Sequence, residues 1–152
     1  MTLTPKNMQV DPTISKFIRK NHVLSLSVIL PDNKLWACNT FYVFDEQPMY
    51  LYLLSELKTD HAKAMLKQPQ VAGTISVTPK TVARIQGIQF QAKAIQLQKE
   101  QAEQAYTQYY SVFPFARMIK APIWALQLEY IKMTNNLLGF ASKIYWRKES
   151  DF

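Results

Sequence analysis

Met49 to Leu66 reads MYLYLLSELKTDHAKAML, and within it the hydrophobic period changes from that of a strand to that of a helix, with polar residues gathered at the change. Met49, Leu51 and Leu53 alternate with Tyr50, Tyr52 and Leu54, the pattern of a strand packed on both faces. Ala62 to Lys67 is a run of helix formers stopped by Pro69. Between them, Ser55, Lys58, Thr59, Asp60 and His61 set hydroxyls, a cation and an imidazole where a helix leaves its first N–H groups unpaired. Such a loop can seat a phosphate. Thr59 or Asp60 can equally act as an N-cap with no ligand to justify it. The chain has three glycines, and neither the dinucleotide fingerprint nor the P-loop pattern occurs, so any phosphate is held by side chains and a helix end.

Upstream of this stretch, Asp11 followed by Pro12 marks a helix start, and Ile14, Phe17 and Ile18 give its apolar stripe up to Asn21. Lys16, Arg19 and Lys20 form its solvated face. Leu24, Leu26, Val28 and Leu30 then alternate with polar residues as a half-buried strand. Pro31 to Lys34 turns the chain, Leu35 to Phe44 resumes as a second strand, and Asp45 to Pro48 turns into the Met49 to Leu54 strand. Three adjacent strands of a meander are expected.

Downstream, Val71 to Val77 is a fourth strand, and Thr81 to Leu97 a fifth, too long to stay flat, with Gly87 as the expected bulge. Glu100 to Tyr110 reads as a helix with Ala102, Ala105, Tyr106 and Tyr109 inward. Phe113 to Met118 is a further helical turn, Trp124 to Met133 a sixth strand, and Lys143 to Arg147 a last short one. Six or seven mostly antiparallel strands with short helices predict a mainly β, α+β fold closed as a small barrel, because closure removes exposed edges. Leu24, Leu26, Val28, Leu51, Leu53, Val71 and Ile75 are its expected core.

The chain has 152 residues, 48% of them apolar, enough for one domain over residues 1–152 with a core that needs no disulfides. Residues 1–10 carry no pattern and are expected to be loosely ordered. No apolar run reaches bilayer length and the start lacks an apolar signal core, so a soluble, cytoplasmic protein is expected. Cys38 is the single cysteine and His22 and His61 the only histidines, which excludes a CxxC site and leaves no evident metal set. The net charge of +7 admits an anionic partner, but the cations are scattered, which argues against nucleic acid.

The succession LWACNTFYVFD, SELKTDHA, PKTVARIQGIQF, FPFARMIKAPIWALQL and NNLLGFASKIYW resembles the YhbP family, a branch of the pyridoxamine 5′-phosphate oxidase-like, FMN-binding split-barrel proteins. The likeness runs from about His22 to Trp146. It implies a split β-barrel, a homodimer, and flavin mononucleotide (FMN) in a groove between subunits. By the same resemblance Asn39, Thr40 and Phe41 hold the isoalloxazine ring, while Ser55, Lys58, Thr59 and His61 hold the phosphate. The chain departs from the vitamin B6 oxidases in having no arginine between Leu35 and Phe44 and no histidine after His61. Ala92 stands where relatives are expected to carry glycine. The function implied is that of an FMN-dependent oxidoreductase or flavin reductase of unknown substrate, its catalytic residues unassigned. The alternative is a non-catalytic module for flavin, heme or another planar anion. The dimer interface is expected to use strand aromatics and the segment around Trp124.

Overall fold

A computed structural model describes residues 9–149; most of the segment expected to be loose lies outside that range. Eight strands form one antiparallel sheet: β1 (Val23–Ile29), β2 (Leu35–Phe41), β3 (Val43–Asp45), β4 (Tyr50–Leu54), β5 (Gln70–Ser76), β6 (Gln86–Gln96), β7 (Ile123–Asn135) and β8 (Lys143–Arg147). Three helices, α1 (Pro12–Lys20), α2 (Asp60–Lys67) and α3 (Lys99–Val112), complete it. The strand order is β2-β1-β5-β6-β7-β4-β3. β7 carries β6 along one edge and, on the other, β4 against its first half and β8 against its second.

β2 and β3 end that order on opposite sides, yet only Tyr42 separates them in the chain. The sheet therefore curls back on itself into a half-barrel, the split barrel expected of the sequence. Tyr42 is the pivot: its N–H donates to the His22 carbonyl (2.9 Å) and its hydroxyl to the Ile18 carbonyl (2.6 Å). The expected meander is corrected here. β1 and β2 form the hairpin, but the Leu35 to Phe44 stretch breaks at Tyr42, and β4 pairs with β3 and with distant β7 rather than with β2. Period two shows which residues face inward and says nothing of which distant strand lies alongside.

All seven residues expected in the core are buried. They meet Ile88, Phe90, Leu126, Ile131 and Met133 inside the barrel, whose open side α1 and α2 cover with Ile14, Phe17, Ile18, Ala62 and Met65. Burying each large side chain contributes about 1.5–3 kcal/mol. β4 is packed on both faces, as its alternation predicts: Leu51 and Leu53 point into the barrel, while Tyr52 joins Val43, Ala105, Tyr109 and Ile123 under α3. The α1 cap forms as expected, with the Thr13 N–H donating to Asp11 Oδ1 at 2.8 Å, and Arg19 on its solvated face pairs with Glu46 at 2.7 Å.

The bulge lies elsewhere than Gly87. Gly87 keeps register with Ser76 and Thr134, and the ladder slips between Gln91 and Ala92, opposite Leu128 and Tyr130. The glycine that permits a close approach is Gly73, where an added Cβ would stand 2.5 Å from the Ser25 carbonyl oxygen and would clash with the edge of the Phe90 ring. Ala92 is fully buried in the barrel core, so its methyl meets other strands and not a ligand.

Candidate functional site

Ser55 is where β4 stops and the site begins. Its N–H donates to the Pro122 carbonyl (3.0 Å) and its carbonyl accepts from Trp124 Nε1 (3.2 Å), so both backbone groups are fixed by the neighbouring strand. Four residues on, Thr59 caps α2: its hydroxyl accepts from the Ala62 N–H (3.2 Å) and donates to the Glu56 carbonyl (2.8 Å). The cap in turn aims His61, in the first turn of α2, back at the loop. His61 Nε2 lies 2.6 Å from Ser55 Oγ and 3.4 Å from Thr59 Oγ1, and the two hydroxyls are 3.2 Å apart.

These groups form one end of a cleft of about 520 Å³, within the range that ligand sites occupy. One wall is Asn39, Thr40 and Phe41 on β2. The opposite wall comes from the end of α3 and the turn after it, with Tyr109, Phe113, Phe115, Ala116, Ile119 and Ala121. The aromatics interlock, Phe41 and Phe113 edge to face with centroids 5.5 Å apart and Tyr109 and Phe113 tilted with centroids 5.3 Å apart, while Phe115 is 88% exposed. The cleft is thus polar at the start of α2 and aromatic along its length.

Six of the seven sequence-derived site residues line this cleft together. Lys58 does not: its side chain is 83% exposed and pairs with Glu56 at 3.1 Å. Phe41 and, further along the same strand, Trp36 are exposed. Trp124 is the reverse case. Expected at a dimer interface, it is 1% exposed inside its own chain. The wall from Tyr109 to Ile119 was missed by sequence reasoning. Its signal was the aromatic-rich run from Tyr106 to Phe115, more aromatic surface than one helix face can bury in so small a core.

Burial pushes the His61 imidazole below its ordinary pKa, with Asp60 pulling weakly the other way. The ring is therefore neutral at physiological pH. Burial raises the Tyr109 hydroxyl, keeping it protonated. Among the described residues no cluster of His, Cys, Asp and Glu could hold a metal ion, and no helix is long and apolar enough to cross a membrane.

No family model matches the chain. It is 42% identical over 143 residues to the UPF0306 protein YhbP of Escherichia coli (strain SMS-3-5 / SECEC), covering 94% of this chain and 97% of that protein. Among solved structures, a heme binding protein from Mycobacterium smegmatis superposes with a TM-score of 0.74 at 12% identity, over 91% of this chain and 60% of the other. A FAD-binding protein from Mesorhizobium loti does so with a TM-score of 0.65 at 12% identity, over 82% and 94%. At that identity the structures speak to the fold, and they agree with the half-barrel found here. Identity over nearly the full length of both chains places this one in the YhbP (UPF0306) family of split-barrel proteins.

Proposed function

We propose that the chain binds FMN in this cleft, as a cytoplasmic homodimer whose subunits share the groove, and that the bound flavin serves an oxidoreductase or flavin reductase reaction. The observation that carries it is the joining, in one cleft, of a hydroxyl-lined helix start to an exposed aromatic wall. A flavin phosphate is a dianion near neutral pH and a flavin ring is flat and largely apolar, so the two ends match the two halves of the ligand. Ser55 and the first N–H groups of α2 would hold the phosphate, with His61 beside them and Thr59 fixing the helix start as its cap. Asn39 and Thr40 would meet the ring edge and Phe41 its face. Lys58, outside the lining, adds positive charge at longer range. FMN when bound supplies the redox chemistry, and the protein positions it and keeps water from it.

The dimer has a natural seat. The strand register lays Asn39, Ser25, Thr74, Gln89, Lys132 and Tyr145 in one row across the outer face of the sheet, and Ala37, Ser27, Ala72, Gln91, Tyr130 and Arg147 in the next. None of them is buried. A broad face that carries charge only at Lys132 and Arg147, toward β8, and ends at the cleft wall at Asn39 suits a second copy. The test is the absorption spectrum of the purified protein, before and after adding FMN and gel filtration. Retained flavin bands are expected, and their absence overturns the proposal. Consumption of reduced nicotinamide by the flavin-loaded protein separates an enzyme from a binding module.

A further inference from the structure

The hydroxyl network at the α2 end of the cleft has a fixed number of hydrogens, and counting them singles out His61. Thr59 Oγ1 spends its hydrogen on the Glu56 carbonyl and accepts from the Ala62 N–H. Ser55 Oγ lies 2.6 Å from His61 Nε2 and 3.2 Å from Thr59 Oγ1. When Nε2 is unprotonated, the short contact is Ser55 donating to the ring, so neither hydroxyl has a hydrogen for a ligand. When Nε2 carries a proton, in the neutral Nε2–H tautomer or in the imidazolium, it donates to Ser55 Oγ, and the Ser55 hydrogen turns free toward the cleft. Only the imidazolium also brings a positive charge; its extra proton comes from solvent, and no covalent bond between heavy atoms changes.

Charge points the same way. No lysine or arginine lines the cleft among the described residues. Lys58 is turned to solvent and tied to Glu56. The titratable groups around His61 are Glu56 on the loop, Asp60 beside it on α2, and Tyr109 across the cleft on α3; β2 adds none to the lining, and Arg117 and Lys120 of the turn from Phe115 to Ala121 lie outside it. His61 is therefore the one lining residue that can become cationic. We infer that His61 is a proton switch for anion recognition, so that binding a phosphorylated ligand takes up one proton at Nε2, and that this switch selects FMN over its unphosphorylated parent, riboflavin. This rests on the flavin proposal above. The neutral imidazole of the empty cleft is the state from which that uptake starts, and a phosphate dianion 3–4 Å away would favour the charged ring.

The test is calorimetry of the full chain with FMN and with riboflavin at about pH 8, in two buffers of different ionisation enthalpy, where the FMN phosphate is already fully ionised. FMN is expected to bind with uptake of about one proton, and its affinity to fall about tenfold per pH unit between the pKa of the imidazole in the free protein and its raised value in the complex, levelling off above the latter. Riboflavin is expected to bind more weakly with no uptake. His61→Gln, whose amide donates to Ser55 at every pH, should bind FMN with no pH dependence and no uptake. With only two histidines in the chain, the imidazole NMR signals of the unmutated protein give the same answer independently: one pKa should rise on adding FMN. FMN binding with flat affinity, no uptake and no shifted imidazole overturns the switch and leaves the flavin proposal standing. No FMN binding at any pH overturns both.

Discussion

Trp124 Nε1 donates to the carbonyl oxygen of Ser55 across 3.2 Å, joining a fully buried indole on β7 to the residue from which the cleft opens. With the Ser55 N–H held by Pro122, the backbone has no freedom there, and the Ser55 hydroxyl is presented to His61 in one orientation. Trp124→Phe keeps an aromatic ring but leaves that buried carbonyl unpaired and opens a small void. A loss of about 2–3 kcal/mol in denaturant unfolding is expected, together with weaker flavin binding. Unchanged flavin affinity in the folded variant would mean that the tie does not position Ser55.

Substitutions in the α2 loop should separate cap from ligand. Thr59→Ala removes the cap and is expected to cost about 1 kcal/mol of stability without ligand. Ser55→Ala is expected to weaken FMN by roughly 10- to 150-fold, the loss of one bond to a charged group of about 1.5–3 kcal/mol. Lys58→Ala should change stability by less than about 0.5 kcal/mol, since its ion pair is exposed. Its effect on FMN should be a few-fold and should fade as salt is added. Fluorescence titrations and thermal melts in parallel read all three.

Gly73→Ala tests the close approach of β5 to β1. The added methyl meets the Ser25 carbonyl and the Phe90 ring, and neither a ladder carbonyl nor a buried ring can retreat cheaply. A destabilisation of at least about 1–3 kcal/mol is expected, whereas Gly87→Ala, with its nearest neighbour at 3.5 Å, should be far milder. Equal melting points for the two variants would contradict the packing described.

Acid should destabilise the ligand-free protein in two windows. The folded-state pKa of His61 is depressed, mainly by burial, so the folded chain binds fewer protons there than the unfolded one. Its contribution is present above about pH 6.5 and is lost as pH falls toward the folded value. Glu46 is lowered by hydrogen bonds from Ser15 and then Arg19, and its contribution is lost below about pH 4.3 by the same sign. Melting curves against pH should show the first step disappear in His61→Gln and the second in Glu46→Gln.

Much of this was legible in the chain because it is local. The Asp11 and Thr59 caps, the inward faces of β1 and β5, and the two-sided burial of β4 follow from spacing within a few residues. The polar loop from Ser55 to His61 was visible for the same reason. What was not legible depends on partners far away in sequence: β4 beside β7, the break at Tyr42, the slip at Gln91 and Ala92, and the pinch at Gly73, which needs Phe90 to explain it. The aromatic wall from Tyr109 to Ile119 belongs with these: its aromatic run marks more surface than the helix can bury, but only the distant β2 shows that this surface borders a cleft. Trp124 shows the limit from the other side, because aromatic content alone cannot tell a core indole from an interface one.

A crystal structure of the protein with FMN tests the central claim most directly. The phosphate is expected within hydrogen-bond distance of Ser55 Oγ and the first N–H groups of α2, with the ring along Asn39, Thr40 and Phe41 at the boundary with a second copy. FMN bound elsewhere on the chain, or this cleft filled by the partner's side chains with no room for a ligand, would contradict it.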